Sequence, residues 1–370
     1  MINLNAPKQY LIYTRTPWEE VPRARHQFAQ ALSNFGNVLF IAANKVSLIP
    51  RLSFNKVSDT LTIIQPHWWL PFKVRYRIPF LNTLYNRWLF SAVKRASIGP
   101  IYHHISFDHT SIGFSREFNN YSYYVNDDHT RKGSKKLNLF LNAHVKNESL
   151  LAQNAQFVVT TAMDLYQKFY ALNQNTCLIP LGAPPVLVKP FLPENQGLLK
   201  VCFLSVFNSR RIPVNLIEQI LNSFPIELVC IGPYDEAFGK AMDAFENVKL
   251  CGPMQGIDLQ ERMAECHVGI APYTTGSENA GVTPNKLWQY LGVGLPVVYT
   301  HLKGIEFGPE FSDLITCSIE NREFGELIVK SAVEDSLAKR ERRQAIALEN
   351  SWDARAQQFV YYLEKGENHA

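Results

Sequence analysis

The chain has 370 residues, a formal net charge of +4, 46% hydrophobic residues and 19% charged residues. This length exceeds the usual size of one domain, so we expect two domains, and the apolar content excludes a disordered chain. The six cysteines include no CxxC pair and no zinc-ligand spacing, which favours reduced thiols in a cytoplasmic protein. No segment has the roughly 18–20 apolar residues of a membrane-spanning helix or the apolar core of a signal peptide, so we expect any membrane contact to be peripheral.

Short apolar runs alternate with helical patterns along the whole chain. Continuous β-branched runs predict strands that are covered on both faces, and strand–helix alternation predicts parallel sheets with crossover helices. The predicted strands cover residues 9–14, 37–42, 121–126, 156–161, 177–181, 200–207, 226–232, 248–252, 268–273 and 296–300. The sequence therefore predicts an α/β fold.

Residues 66–95 contain six basic side chains, eight aromatic ones and no acidic one. Tryptophan and tyrosine favour the headgroup zone of a bilayer, and basic side chains are attracted to anionic lipids. We therefore predict a membrane-facing surface that includes Trp68, Trp69, Arg75 and Arg77. An amphipathic helix pair packed on the first sheet would explain the same pattern. Nucleic-acid binding is not expected, because no RNA-binding motif accompanies these residues.

Two aspartates, Asp127 and Asp128, directly follow the predicted strand 121–126. Parallel α/β sheets bind ligands beyond the carboxyl ends of their strands, and neighbouring carboxylates raise each other's proton affinity, which suits a general base. An Asx turn or a helix cap would place aspartates there equally well. His26, on a predicted helix over 22–34, and His129 are reserve candidates for acceptor binding or for the general base. No histidine has the spacing of a metal site.

A linker candidate, residues 181–199, carries four prolines and two glycines. It predicts a first domain over 1–190 and a second over 191–352. The last helix, within 353–370, has apolar residues on one face and needs a surface to dock on. We expect it to pack back on the first domain.

The segment GVTPNKLWQYLGVGLPVV, residues 281–298, predicts a short helix with Thr283 as N-cap, Pro284 at its first position and Lys286 in its first turn. A helix N-terminus attracts anions and disfavours cations, so a lysine there indicates that something negative binds. Gln289 lies one turn deeper on the same face. A solvated lysine on an ordinary capped helix is the competing interpretation.

The stretch TPNKLWQYLGVGLPVVYT resembles the P-x-K-x-x-E-Y-L-A-x-G-x-P-V-V segment of bacterial glycosyltransferases with the GT-B fold. Further segments resemble those of enzymes that build cell-surface polysaccharides, namely residues 13–41, 123–130, 247–273 and 350–365. Within this group, Lys286 with Gln289 is most similar to the xanthan-type glucuronosyltransferases. The glutamate pair of the commoner retaining relatives would fall on Gly281 and Gln289 and is absent.

The resemblance implies a GT-B fold, in which two Rossmann-like parallel-sheet domains face a central cleft. It implies hexosyl or glycuronosyl transfer from a nucleotide-diphosphate sugar, expected to be a UDP-sugar, to a lipid-linked saccharide in exopolysaccharide biosynthesis. We expect inversion, no metal or other cofactor, and a monomer or weak dimer attached to the inner face of the cell membrane. The alternatives are a nucleotide-sugar epimerase and a catalytically silent nucleotide- or sugar-binding partner of polysaccharide assembly.

The resemblance also implies residue roles. The first domain would bind the acceptor, with Asp127 as general base, Asp128 as the competing choice, and His26 and His129 as acceptor-binding residues. The second domain would bind the donor. Its candidate residues are Phe207, Arg210, Met254, Tyr273, Asn285, Lys286 and Gln289.

Overall fold

The chain forms two compact units in the computed structural model. Unit 1 comprises Met1–Leu181 with Trp352–Ala370, and unit 2 comprises Gly182–Ser351. The division therefore lies at residue 181, whereas the linker composition placed it near residue 190. The structure describes residues 8–96, 99–128, 141–194, 197–208, 212–273, 285–301, 311, 314–318 and 323–367.

Unit 1 is a largely parallel sheet covered by helices. Its described strands are β1 (Gln9–Tyr13), β2 (Asn37–Ile41), β3 (Lys45–Val46), β4 (Arg51–Lys56), β5 (Leu61–Trp68), β6 (His103–Ser106), β7 (Tyr121–Val125), β8 (Phe157–Thr160) and β9 (Thr176–Leu178). Its described helices are α1 (Ala24–Leu32), α2 (Phe72–Arg77), α3 (Pro79–Arg95), α4 (Ile112–Ser115), α5 (Leu141–Gln153), α6 (Met163–Tyr170) and, from the C-terminus, α13 (Trp352–Glu367). The strand order is β3-β5-β2-β1-β6-β7-β8-β9, and β4 pairs with β5 in antiparallel orientation.

The central strand β1 shows why its sequence is continuously apolar. Tyr10 and Ile12 face a core that includes α1 and α13, where the Phe28 and Phe359 rings lie 5.3 Å apart. Leu11 faces a second core beneath α3. A strand that is covered on both faces has no solvent side, so alternation of polar and apolar residues is lost.

Unit 2 is a smaller parallel sheet with the order β12-β11-β10-β13-β14-β15. Its described strands are β10 (Leu199–Leu204), β11 (Ile226–Ile231), β12 (Val248–Leu250), β13 (Val268–Ala271), β14 (Val297–Thr300) and β15 (Ile315–Ser318). Its described helices are α7 (Val214–Ser223), α8 (Glu236–Met242), α9 (Gly256–Ala264), α10 (Asn285–Gly292), α11 (Phe324–Val333) and α12 (Leu337–Glu349).

All ten predicted strands are present, with ends within three residues of the expected positions. Five described strands were not predicted: β3, β4, β5, β6 and β15. Strand β6 reads HHIS, and its histidines look like surface residues although they are buried. The sequence of β5 includes Gln65, Pro66 and His67, which interrupts its apolar run.

Each sheet contains one topological switch point, where the chain leaves two neighbouring strands in opposite directions. In unit 1 it lies between β1 and β6, and in unit 2 it lies between β10 and β13. Ligands of open α/β sheets bind beyond the carboxyl ends of the strands at such points. Functional side chains are therefore expected at both positions.

Candidate functional site

The switch point of unit 2 is bordered by residues that follow β10 and β13 and by the helix α10. Tyr290 fixes this helix to both strands: its hydroxyl accepts a hydrogen bond from the Leu204 N–H at 2.7 Å and donates to the Ile270 carbonyl at 3.0 Å. The approach depends on Gly269, because a Cβ there would lie 2.6 Å from the Tyr290 ring. The first turn of α10 is thereby placed at the ends of β10 and β13.

Lys286 lies in that first turn and points to the switch point. Its amine donates to the Ser205 hydroxyl at 3.3 Å and lies over the rings of Phe203 and Tyr273, 5.6 Å and 4.7 Å from their centroids. Burial lowers the pKa of the Lys286 amine to about 7, because desolvation disfavours the charged form. Within the described residues, no carboxylate lies at ion-pair distance from this amine.

Two amide residues of α10, Asn285 and Gln289, lie one position before and three positions after Lys286 in the sequence. The side-chain oxygens of Asn285 and Gln289 are buried and have no hydrogen-bond partner among the described residues. A buried acceptor that lacks a partner costs about 1–3 kcal/mol, so such groups are usually satisfied by water or a ligand. The arrangement combines a desolvated cation with two available acceptors, which suits a ligand that is anionic at one end and donates hydrogen bonds at the other.

Of the other residues predicted to bind the donor, some lie near Lys286 or its helix and others do not. Tyr273 is brought together with Lys286, and Met254 packs at the edge of the core that includes α10. Phe207 is 1% exposed and stacks on Phe238 at 4.7 Å, so it is a core residue. Arg210 lies outside the described residues.

Sequence reasoning missed Ser205 and Phe203. Ser205 is the first residue after β10, and a polar residue at the carboxyl end of a parallel strand was the available signal. Phe203 offered none, because an aromatic residue inside an apolar strand is typical of core packing.

The switch point of unit 1 brings Arg15, which follows β1, to Asp108, which follows β6. The guanidinium lies 3.8 Å from Asp108 Oδ1. Burial opposes ionisation of Asp108, but Arg15, His109 and the Thr110 N–H outweigh it and lower the pKa of Asp108 to about 2. The carboxylate is fully buried and accepts hydrogen bonds from the Thr110 N–H and hydroxyl, each at 2.9 Å.

Aromatic and imidazole rings surround this ion pair. The Tyr76 ring lies under Arg15, 5.6 Å from its guanidinium carbon, and stacks on His144 at 4.4 Å. His109 Nε2 lies 3.4 Å from the Tyr76 hydroxyl. Burial lowers the pKa of His144, because desolvation disfavours the charged imidazolium.

The predicted catalytic pair lies near the end of β7. Both aspartates are exposed, and Asp128 forms an ion pair with Lys168 at 2.7 Å. Lys168 also contacts Glu148 at 3.1 Å. His129 lies outside the described residues.

His26 has a structural environment. It is 2% exposed, its Nδ1 accepts from the Arg23 N–H at 3.0 Å, and its Nε2 lies 3.0 Å from the Pro17 carbonyl. Its ring stacks on Phe40. Both ring nitrogens are therefore engaged in holding the start of α1.

The four residues assigned to the membrane surface separate into two pairs. Trp68 is 1% exposed and packs edge-on against Tyr85. Arg75 is 1% exposed, with its guanidinium 3.7 Å from the Tyr85 centroid. Trp69 is 52% exposed and Arg77 is exposed. Trp68 and Arg75 are therefore buried and unavailable to a membrane, whereas Trp69 and Arg77 are exposed to solvent.

The described residues include neither a membrane-spanning helix nor a set of side chains that could hold a metal ion. None of the helices has both the length and the apolar character to cross a membrane. No cluster of three or more histidine, cysteine or acidic side chains in this part of the chain could hold a metal ion.

No protein-family model and no curated protein matches the chain. Solved structures match over nearly its whole length. Sucrose-phosphate synthase from Thermosynechococcus elongatus has a TM-score of 0.72 at 14% identity, covering 98% of this chain and 100% of that one. A UDP-forming α,α-trehalose-phosphate synthase from Burkholderia xenovorans, in complex with glucose-6-phosphate, has a TM-score of 0.69 at 10% identity, covering 96% and 100%.

Anabaena HepE, in complex with UDP and glucose, has a TM-score of 0.61 at 13% identity, covering 97% of this chain and 99% of that one. At such low identity the likeness is one of fold. It confirms the predicted fold class, an α/β protein with two parallel sheets that matches structures of GT-B glycosyltransferases.

Proposed function

We propose that the protein is a glycosyltransferase that takes its sugar from a UDP-sugar and binds the diphosphate through Lys286. The observation that carries this proposal is the desolvated Lys286 amine, held against Ser205, Phe203 and Tyr273 at the switch point of unit 2. A diphosphate would supply the negative charge that the described surroundings lack. The names of two proteins of the same fold favour UDP, since one is UDP-forming and the other is in complex with UDP.

The chemistry of glycosyl transfer assigns distinct tasks to the two units. The leaving diphosphate gains charge as the glycosidic bond breaks, and Lys286 would stabilise that charge without a metal. The buried oxygens of Asn285 and Gln289 would accept hydrogen bonds from the ribose or the base. An inverting reaction also needs a base for the acceptor hydroxyl. We assign Asp127 to that role, because Asp128 is already paired with Lys168.

Donor binding and turnover test this proposal with purified protein. We expect UDP and one UDP-sugar to raise the melting temperature, because a ligand that binds only the folded state stabilises it by mass action. UMP, which lacks the diphosphate, should give a smaller shift. The absence of any shift with UDP or UDP-sugars would contradict the assignment. Interconversion of free sugar nucleotides would indicate an epimerase, and binding without transfer or hydrolysis would indicate a silent partner.

We further propose that the acceptor is a lipid-linked saccharide of surface-polysaccharide biosynthesis, as in the xanthan-type enzymes, and that unit 1 docks on the inner face of the membrane. Leu48, Ile49, Trp69 and Phe80 are large apolar side chains that are 52–93% exposed. The Trp69 indole N–H donates to the Leu48 carbonyl at 3.0 Å, which ties the β3–β4 loop to the end of β5. Two exposed basic residues, Lys73 and Arg77, follow Trp69 in the sequence.

Vesicle flotation tests the membrane surface. The triple variant Leu48→Ser, Ile49→Ser, Trp69→Ser should lose binding to vesicles that contain anionic lipid, since apolar insertion and basic attraction act together. The variant Ile257→Ser, Val333→Ser removes exposed apolar side chains from unit 2 and serves as the matched control. Equal flotation of both variants would contradict this part of the proposal.

A further inference from the structure

The junction between β1 and α1 in unit 1 concentrates basic groups at the switch point. Arg15 and Thr16 follow β1, and α1 opens with Ala24 and Arg25. The first turn of α1 contains no acidic residue. An N-terminal helix turn carries partial positive charge and is normally complemented by acidic groups, so basic residues there leave this end of the helix uncompensated.

Arg25 supplies a second and independent observation. The residue is 8% exposed, and its Nη1 donates to the Thr16 hydroxyl at 2.7 Å. Its Nε is buried and has no hydrogen-bond partner among the described residues. Burial, followed by the charges of Arg15 and Arg23, lowers the pKa of Arg25, while Asp127 and Asp108 act in the opposite direction. A guanidinium that is both desolvated and repelled by another gains stability when an anion binds.

Arg15 is held so that it can share that anion. Asp108 fixes one side of the guanidinium at 3.8 Å, and the rings of Phe72 and Tyr76 lie 5.7 Å and 5.6 Å from its central carbon. The Asp108 carboxylate is fully buried and also bonded to Thr110, so it anchors Arg15 without being accessible itself. The side chain of Arg15 remains 18% exposed.

We propose that Arg15 and Arg25 bind a phosphate group carried by the acceptor. Two guanidinium groups can each engage phosphate oxygens through paired N–H donors, and a doubly charged group is matched to two arginines at a helix start better than a neutral sugar. The proposal specifies that the acceptor carries a phosphate group, and it rests on the proposed glycosyltransferase function. The phosphate can come from a soluble sugar phosphate or from the diphosphate of a lipid-linked saccharide.

Calorimetry with glucose 6-phosphate and with glucose tests the charge requirement. We expect no binding of glucose. We expect binding either of glucose 6-phosphate or of a polyprenyl diphosphate saccharide presented in phosphatidylcholine vesicles. Binding of the first identifies a soluble acceptor, and binding of the second alone identifies a lipid-linked one. Arg15→Gln should weaken binding of whichever probe binds by about tenfold or more, because a hydrogen bond to a charged group is lost.

Matched variants keep the test decisive. Arg15→Lys preserves the charge and should retain part of the affinity, while Arg116→Gln removes an exposed arginine elsewhere in unit 1 and should change nothing. Phosphate probes that bind no better than their uncharged counterparts, or that bind equally to wild type and Arg15→Gln, overturn the phosphate site. UDP binding measured in the same samples separates the two proposals. If Arg15→Gln loses phosphate binding but still binds UDP, the donor assignment stands. If wild type does not bind UDP, the donor assignment is refuted, whatever the phosphate probes show.

Discussion

The two units place a cation at the same topological position but compensate it differently. In unit 2, the Lys286 amine contacts a hydroxyl and two ring faces, has no carboxylate at ion-pair distance among the described residues, and has a pKa lowered by burial. In unit 1, Arg15 is paired with a buried carboxylate, Asp108, that is itself held ionised. One sheet geometry therefore places a cation without a described acidic partner in unit 2 and a cation compensated by a buried carboxylate in unit 1.

The largest expected effect comes from removing the uncompensated cation. Lys286→Met should weaken UDP binding about a hundredfold or more, because the diphosphate would then be desolvated without a charged partner. Isothermal calorimetry measures the change. Lys240→Met removes an exposed lysine of unit 2 that pairs with Glu236, and it should leave the affinity unchanged. If both variants bind UDP like wild type, unit 2 does not hold a ligand-dependent cation.

The pH profile of UDP binding sharpens the same contrast. Burial lowers the pKa of Lys286 to about 7, so the amine of the empty site loses its proton as the pH rises above 7. The diphosphate pairs with the protonated form, and affinity should therefore fall about tenfold per pH unit between roughly pH 7 and 9. Lys286→Arg stays protonated throughout this range and should show a flat profile. Parallel profiles for the two proteins would contradict the depressed pKa.

A smaller effect concerns the acid stability of unit 1. Burial, together with His104, lowers the pKa of His103 to about 3, and burial lowers that of His104 to about 3 despite the Leu11 carbonyl. Both stay neutral in the folded state while the unfolded chain takes up protons below about pH 6.5. Unit 1 should therefore lose stability as the pH falls from about 6.5 towards 3, by about 1.4 kcal/mol per pH unit for each histidine.

Replacing one of these histidines tests the assignment. His103→Phe should lower the dependence of stability on pH by the contribution of one histidine. The His103 ring packs against Phe157 and Phe359, and within the described residues it makes no hydrogen bond that phenylalanine would lose. Urea unfolding followed by tryptophan fluorescence measures this, since Trp288 is the one tryptophan outside unit 1. A slope unchanged in the variant would mean that His103 titrates normally.

Much of the fold was predictable because strands buried on both faces have a strong local signature. The ten apolar runs were recognised, whereas β6 was missed because His103 and His104 are buried by partners distant in sequence, such as Phe359 and Phe118. In the candidate site, too, local features were predictable and long-range contacts were not. Lys286 was identified from its place in a helical turn, but its contact with Ser205 joins residues 81 positions apart.

The sequence by itself determined the α/β class, the positions of ten strands and the helix that carries Lys286, because these features depend on local periodicity. Only the tertiary structure decided which polar groups are exposed. Trp68 is buried and Trp69 is exposed, although they are adjacent, since strand pairing sets which face meets the core. Likewise, sheet order alone brings Arg15 and Asp108 together, because neighbouring strands need not be consecutive in the chain.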